Sequence, residues 1–240
     1  MNIVVTGASR GIGKAVALYF AKKGWNVTIN CSHSADELAE TKKEIEELHS
    51  EVLSVLGDVG DYAFAEALTR KSIERFGRID ALVNNAGISH IGLLTDMDSH
   101  EWEKILHTDL TSVFNMSKLA TLNMLHYHNG RILNISSVWG NVGASMEVAY
   151  SACKGGINAF TKALGKELAP SRISVNAIAC GAIDTKMNAC FSKEELCELV
   201  NEIPYCRMGK ADEVADLAYK LITGPEYLTG QVITLDGGWI

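Results

Sequence analysis

Short apolar stretches rich in Val and Ile alternate along the chain with longer segments whose apolar residues recur at helical spacing. The short stretches predict buried strands, and the longer segments predict helices with one apolar face. The predicted strands cover residues 3–6, 25–30, 52–56, 79–83, 131–136, 173–179 and 231–235. The predicted helices cover residues 11–23, 36–49, 62–76, 101–126, 150–168 and 212–222.

This alternation predicts an α/β fold, a doubly wound parallel sheet of the Rossmann type with about seven strands and helices on both faces. Ser34-x-x-Glu37 predicts a capping box at the start of the second helix. No linker or change of composition divides the chain, so we expect a single domain over residues 1–240. Ligands of such folds bind at the carboxyl ends of the strands, where the strand order reverses.

Charge and composition narrow the classes of function. The net charge is −7 and no basic block is present, which argues against nucleic acid as a partner. The chain begins directly with a predicted strand, and its longest uncharged run (132–146) is too short and polar for a bilayer. We therefore expect no signal peptide, no membrane contact and a cytoplasmic location. The six Cys and seven His lack the spacing of a metal site, so we expect no metal.

A glycine cluster lies between the first predicted strand and the first predicted helix. Gly7, Gly11 and Gly13 permit a tight turn, close approach of a ligand to the backbone, and packing of helix on strand. The free N–H groups at the start of the helix attract a pyrophosphate. The placement favours a dinucleotide site over an ordinary turn.

The second strand indicates which dinucleotide binds. An NAD site usually has an acidic residue at the end of this strand for the ribose 2′-hydroxyl. Here the strand ends Asn30-Cys-Ser32-His33, and the next acid is Asp36. Arg10 in the glycine loop is suited to a 2′-phosphate. We predict NADP(H), with Arg10 and Ser32 as the phosphate contacts.

Tyr150 and Lys154 are four residues apart, so a phenol and an ammonium share one face of a predicted helix. A nearby cation favours the phenolate and so lowers the pKa of the tyrosine. Ser137 ends an apolar run thirteen residues earlier and is expected to polarise a carbonyl between them.

Together these residues resemble the short-chain dehydrogenase/reductase family over essentially the whole chain. The resemblance implies hydride transfer from NADPH to a carbonyl, with a proton from Tyr150, help from Lys154 and orientation by Ser137. It implies cofactor contacts from Gly7, Ser9, Arg10, Gly11, Ile12, Gly13, Ser32, Asp58, Val59, Asn85, Ala86, Gly87, Tyr150, Lys154, Ile183 and Thr185.

Two positions depart from the family pattern. The family usually has an Asn in a proton relay with the catalytic Lys, and here Asp109 stands in that place. An ionised carboxylate accepts but cannot donate, so we expect Asp109 to take part in an altered relay. Cys180-Gly181 stands where the family usually has Pro-Gly, which predicts a less rigid loop.

The nature of the carbonyl substrate stays open at this point. The overall resemblance is strongest to 3-oxoacyl-acyl-carrier-protein reductases, which need a basic rim for an acidic carrier; Lys162, Lys166, Arg172 and Arg131 are candidates. The segment from Trp139 to Tyr150 is similar to reductases of the 5-aminopentanone-modified lysine of elongation factor P. There, Glu147 would attract a substrate ammonium, where the acyl-carrier enzymes have Gln. A reductase of free small ketones, sterols or sugars, and a non-catalytic NADPH-binding regulator, are further alternatives.

Residues 185–204 are expected to form a mobile substrate lid with apolar side chains at Met187, Phe191, Leu196 and Leu199. The predicted helix 101–126 carries apolar residues on more than one side, and the chain ends in Gly237-Gly-Trp-Ile240. Both features predict a subunit interface, and the family resemblance implies a homodimer or homotetramer.

Overall fold

The computed structural model describes residues 1–188 and 191–240, so Ala189 and Cys190 of the expected lid lie outside the described residues. Seven parallel strands form the central sheet: β1 (Asn2–Val5), β2 (Asn26–Cys31), β3 (Val52–Leu56), β4 (Ala81–Asn84), β5 (Gly130–Ser137), β6 (Ile173–Cys180) and β9 (Val232–Leu235). Their order is β3-β2-β1-β4-β5-β6-β9. The doubly wound parallel sheet predicted from the sequence is confirmed.

Helices cover both faces of the sheet. They are α1 (Gly11–Lys22), α2 (Ala35–Glu47), α3 (Tyr62–Phe76), α4 (Ser99–Ile105), α5 (Ser112–Tyr127), α6 (Trp139–Val142), α7 (Val148–Leu168), α8 (Lys193–Glu202) and α9 (Ala211–Thr223). Successive residues of β1 show why two cores form: Ile3 and Val5 pack with α1, α2 and α9, whereas Val4 packs with α3 and α5. This alternation follows from the two-residue period of a strand.

The strand order reverses between β1 and β4. The loop after β1 and the loop after β4 turn away from this point in opposite directions. A crevice therefore opens between them at the carboxyl edge of the sheet. The loops after β1, β4, β5 and β6 all meet there. A short parallel pair, β7 (Ile183–Asp184) with β8 (Gly209–Lys210), lies beyond the end of β6.

Two local predictions are wrong. The expected helix 101–126 is divided, because a π-helical turn (Leu106–Thr111) separates α4 from α5. Ser34 precedes α2, but its side chain makes no capping hydrogen bond. The Glu37 carboxylate pairs with Arg10 instead of accepting from the backbone N–H of Ser34, so no capping box forms. A 3₁₀ turn (Lys186–Asn188) and α8 lie within the expected lid, and its role as a lid stays a prediction.

Candidate active site

The glycine loop after β1 is fixed by the loop that follows β4. Asn85 donates from its side-chain amide to the carbonyl oxygens of Thr6 and Gly7, each at 3.0 Å. In return, the Thr6 hydroxyl oxygen accepts from the backbone N–H groups of Asn85 and Ala86. The two loops on either side of the strand reversal therefore hold each other in place.

Gly7 and Gly13 are required by close packing rather than by ligand contact alone. A Cβ at Gly13 would collide with the carbonyl oxygen of Gly7 and with the Asn85 amide. Gly7 has a φ of 64°, in the left-handed region, and a Cβ there would lie 2.8 Å from the Cα of Ala86. Side chains at either position would force the loop away from the start of α1.

A cavity of about 450 Å³ lies over this loop. Of the predicted cofactor contacts, those that line it are Gly7, Ser9, Arg10, Gly11, Ile12, Ser32, Asp58, Val59, Asn85, Ala86, Gly87 and Thr185. Gly13 lies behind the loop, and Ile183 lines an adjoining cavity with Tyr150 and Lys154. The cavity suits an extended ligand that presents phosphate to the N-terminus of α1.

At the far end of this cavity, Arg10 Nη1 lies 3.0 Å from Glu37 Oε2. Ser32 lines the same end, and its hydroxyl lies 2.7 Å from His33 Nδ1. Asp58 accepts from the backbone N–H of Gly60 at 2.8 Å. The guanidinium of Arg10 at this end of the cavity suits a ligand that carries an anionic group there.

The second cavity, of about 190 Å³, opens beside the first and shares Ile12, Asn85, Gly87 and Thr185 with it. Ser137, Tyr150 and Lys154 all line this cavity. Ser137 ends β5, whereas Tyr150 and Lys154 lie one turn apart on α7, which packs against that strand. The structure thus brings together the three side chains that the sequence singled out.

Lys154 forms a buried ion pair with Asp109. Its Nζ lies 3.2 Å from Asp109 Oδ2, and the two side chains are 5% and 0% exposed. The ammonium also donates to the carbonyl of Ile135 at 3.3 Å. Burial disfavours the ammonium, but the Asp109 carboxylate outweighs this effect and holds the pKa of Lys154 above its ordinary value.

The loop after β4 supports the ion pair. Ile88 donates its backbone N–H to Asp109 Oδ1 at 2.8 Å. A Cβ at Gly87 would lie 2.9 Å from Asp109 Oδ2 and 3.3 Å from Lys154 Nζ. Glycine at this position therefore avoids a steric clash with the ion pair. Burial raises the pKa of the Asp109 carboxyl, and the charge of Lys154 opposes this rise.

The electrostatic expectation for Tyr150 is wrong in its net direction. Lys154, whose Nζ lies 5.2 Å from the centre of the Tyr150 ring, does favour the phenolate. Burial acts more strongly in the opposite sense, and the carboxylate of Asp109 adds to it, so the pKa of Tyr150 is raised. A neutral phenol is therefore the stable form in this structure, and it is a proton donor.

Glu147 lines the second cavity at the turn before α7 and is only partly exposed. Burial raises the pKa of its carboxyl, and a hydrogen bond with the Trp139 side chain opposes the rise. Trp239 packs edge-on against Trp139, with ring centres 4.9 Å apart, and lines the cavity with it. Neither Trp was expected in the site, and the C-terminal Trp239 was assigned to an interface instead.

The expected lid contributes Met187, Phe191 and Leu199 to the cavity wall. The structure places Leu196 on α8 outside that wall. Mobility of this segment stays a prediction.

The four basic residues expected beside the pocket lie elsewhere. Arg131 is near the amino end of β5, and Arg172 directly precedes β6, so both lie at the opposite edge of the sheet from Ser137. Arg131 also pairs with Glu226, with 3.6 Å between Nη2 and Oε1. Lys162 and Lys166 follow Lys154 by two and three turns of α7, roughly 12 and 18 Å along the axis. A basic rim formed by these residues was a wrong expectation.

Comparison with known proteins identifies the family. The family model described as short chain dehydrogenase matches residues 1–196. The chain belongs to this family. It is 38% identical over 240 residues to the uncharacterized oxidoreductase YmfI of Bacillus subtilis, with 98% of this chain and 97% of that protein covered. It is thus an oxidoreductase, as the sequence predicted.

Two further relatives extend the comparison. The 3-oxoacyl-[acyl-carrier-protein] reductase FabG of Staphylococcus aureus is 37% identical over 238 residues, covering 99% of this chain and 97% of that protein. Among solved structures, a variant of actinorhodin polyketide ketoreductase with NADPH aligns with a TM-score of 0.95 and 35% identity, covering 99% of this chain and 96% of that one. No helix of residues 1–188 and 191–240 combines the length and apolar character needed to cross a bilayer.

Proposed function

We propose that this protein is an NADPH-dependent reductase of ketones. The observation that carries the proposal is the meeting of Ser137, Tyr150 and Lys154 in a cavity that adjoins the glycine-loop cavity. The cofactor is NADP(H), because Arg10 lines the far end of that larger cavity and β2 ends without an acidic residue. NADPH, when bound, supplies the hydride.

Each of the three side chains has a distinct role. Tyr150, neutral in its partly buried position, gives its phenolic proton to the carbonyl oxygen as negative charge develops there. Ser137, whose Oγ already accepts from the Trp139 backbone N–H at 3.2 Å, keeps its hydroxyl proton for the same carbonyl oxygen. Lys154 remains protonated through Asp109 and stabilises the tyrosinate that forms.

Replacing Tyr150 tests the mechanism directly. We expect Tyr150→Phe to lower kcat by about 10³-fold, since the proton donor is lost, while the Kd for NADPH stays near that of the wild type. The matched control is Tyr227→Phe, because Tyr227 is fully exposed. Substantial turnover in Tyr150→Phe would show that the proton comes from another group.

The leading substrate is a 3-oxoacyl thioester on acyl-carrier protein. Relatives that bear this name match the chain over nearly its full length. The apolar side chains of Met187, Phe191 and Leu199 also suit an acyl chain. A role in fatty acid biosynthesis and a cytoplasmic location follow from this substrate and depend on it.

A second substrate, the 5-aminopentanone-modified lysine of elongation factor P, is favoured by Glu147. This carboxyl lies in the same cavity as Tyr150, and its carboxylate would pair with a substrate ammonium that replaces the water lost on burial. Pairing would also return the raised pKa of Glu147 towards its ordinary value. The distant positions of Arg131 and Arg172 agree with this alternative, since an acidic carrier would find neither beside the cavity.

One comparison separates the two substrates. Purified protein with NADPH is offered acetoacetyl-acyl-carrier protein and aminopentanonylated elongation factor P in parallel. If Glu147 binds the substrate ammonium, Glu147→Gln lowers kcat/KM for aminopentanonylated elongation factor P by about tenfold and leaves kcat/KM for the carrier substrate unchanged. Turnover of the carrier substrate alone would remove the second candidate, and turnover of small ketones only would favour the third alternative. Tight NADPH binding without turnover of any carbonyl would indicate a regulator.

We also propose a homodimer or homotetramer. On α5, Val113 and Leu119 are buried within the chain, whereas Phe114 and Leu122 are 47% and 63% exposed. An apolar second face on a helix that already covers the sheet suits a partner subunit. A monomeric elution volume at micromolar concentration would contradict this proposal.

A further inference from the structure

Three charged side chains from separate elements meet at one end of the larger cavity. Glu37 lies in the first turn of α2. Its Oε2 accepts from Arg10 Nη1 at 3.0 Å and its Oε1 accepts from Lys186 Nζ at 2.6 Å. Arg10 belongs to the glycine loop, whereas Lys186 belongs to the 3₁₀ turn after β7. Both cations line the cavity.

The cluster has more positive than negative charge. The hydrogen bond from Lys186, followed by that from Arg10, lowers the pKa of Glu37, so its carboxylate is ionised at neutral pH. Two cations and one carboxylate leave one positive charge to attract an anion. Arg10 and Lys186 are 55% and 72% exposed, so both side chains are free to turn from the carboxylate to another anion.

A phosphate monoester fits this cluster better than a carboxylate does. It carries about −1.5 to −2 charges at pH 7 and has three strong acceptor oxygens. A guanidinium and an ammonium that share one carboxylate would both be satisfied by such a group. The cluster lies beside Ser32 and Ser34, and Ser34 Oγ is 3.5 Å from Arg10 Nη1.

We propose that Lys186 is a further 2′-phosphate-binding residue of NADPH, and that Glu37 competes with the phosphate for Arg10 and Lys186. The inference rests on the proposed NADPH dependence. It has a consequence for the substrate cavity, because the neighbours of Lys186 in the chain, Thr185 and Met187, line both cavities. Recognition of the 2′-phosphate and the wall of the substrate cavity therefore share one segment.

Equilibrium binding without substrate tests the proposal. The Kd values of NADPH, NADH, adenosine 2′,5′-bisphosphate and AMP are measured by calorimetry for each variant. Lys186→Met should weaken NADPH and the bisphosphate by about tenfold, the effect of one charge-assisted contact, and leave NADH and AMP unchanged. Glu37→Gln should strengthen NADPH and the bisphosphate, because a competing anion is removed. Lys193→Met is the matched control, since Lys193 is an exposed lysine at the start of α8.

The possible contrary results have distinct meanings. Equal weakening of NADPH and NADH in Lys186→Met would show a structural role, and no weakening of NADPH would show that Arg10 acts without Lys186; either overturns the inference. Weaker NADH binding in Glu37→Gln would show that Glu37 binds ribose hydroxyls, which also overturns it. A wild-type protein that binds NADH as tightly as NADPH would contradict the NADPH dependence itself. Retained NADPH preference in Lys186→Met refutes the role of Lys186 alone.

Discussion

Replacing Asp109 by asparagine isolates the electrostatic effect of the buried ion pair. The amide has nearly the shape of the carboxylate and can still accept from the Ile88 N–H, but it carries no charge. In the wild type, the Asp109 carboxylate raises the pKa of Tyr150 while Lys154 lowers it. As long as Lys154 stays protonated, Asp109→Asn removes only the opposing charge, so the pKa of Tyr150 should fall.

The geometry sets the size of this effect. Lys154 Nζ lies 5.2 Å from the centre of the Tyr150 ring and 3.2 Å from Asp109 Oδ2. These distances are two sides of a triangle, so the carboxylate oxygen lies at most about 8 Å from the ring centre. At that limit two unit charges interact by ~2 kcal/mol at an effective dielectric constant of ~20 and by ~0.5 kcal/mol at ~80. Removing an interaction of this size should lower the pKa of Tyr150.

The pH dependence of kcat/KM for ketone reduction measures this change. Tyr150 acts as an acid in that direction, so activity is present while the phenol is protonated and is lost as the pH rises through its pKa. In Asp109→Asn, the alkaline loss of activity should begin at a lower pH than in the wild type. Asp212→Asn, an exposed aspartate on α9, is the control. A folding defect would lower activity at every pH, whereas an alkaline limb that stays in place or moves upward would refute the reasoning.

Three further outcomes are expected. Gly13→Ala should weaken NADPH binding and lower the Tm, because its Cβ would collide with the carbonyl oxygen of Gly7; cofactor titration and thermal unfolding check this. Trp239→Ala should raise the KM for the ketone without changing the Kd for NADPH, because only the smaller cavity loses a wall. Burial raises the pKa of Cys180 to about 12, so its thiol should resist alkylation at neutral pH in the folded protein, while exposed Cys206 reacts; peptide mapping after labelling decides.

The sheet was accessible from the sequence because its inner strands are buried on both faces and read as continuous apolar runs, and its edge strands are also rich in Val, Leu and Ile. The predicted strand 52–56 and helix 62–76 coincide with β3 and α3. The division of the helix at residues 106–111 was not accessible, since the π-helical turn accompanies an ion pair between Asp109 and a residue 45 positions later. The start of α8, which is absent from the predicted helices, did carry a signal: Ser192 and Glu195 form a capping box.

The candidate site was predictable where its residues lie on one helix or loop, and less so where residues from distant parts of the sequence meet. Tyr150 and Lys154 share a helix, and the glycine loop is local. Trp239 packs on Trp139 across a hundred positions of sequence, and nothing in the C-terminal residues indicates that contact. The misplaced basic rim was avoidable: Arg131 begins a strand whose other end carries Ser137, and the two ends of a parallel strand lie at opposite edges of the sheet.

Asp109 illustrates how one substitution in a family pattern can be misjudged from its residue type. A carboxylate in place of an amide could signal a disabled relay, and hence a protein that binds NADPH without reducing anything. The contacts support the opposite interpretation, because a lysine buried to this degree would lose its proton more readily without an anion beside it. Asp109 holds the pKa of Lys154 above its ordinary value, and in the proposed mechanism the positive charge of Lys154 stabilises the tyrosinate after Tyr150 has given up its proton. The same carboxylate adds to the rise in the pKa of Tyr150 that burial causes. The raised pKa favours the phenol over the phenolate, which suits proton donation in ketone reduction.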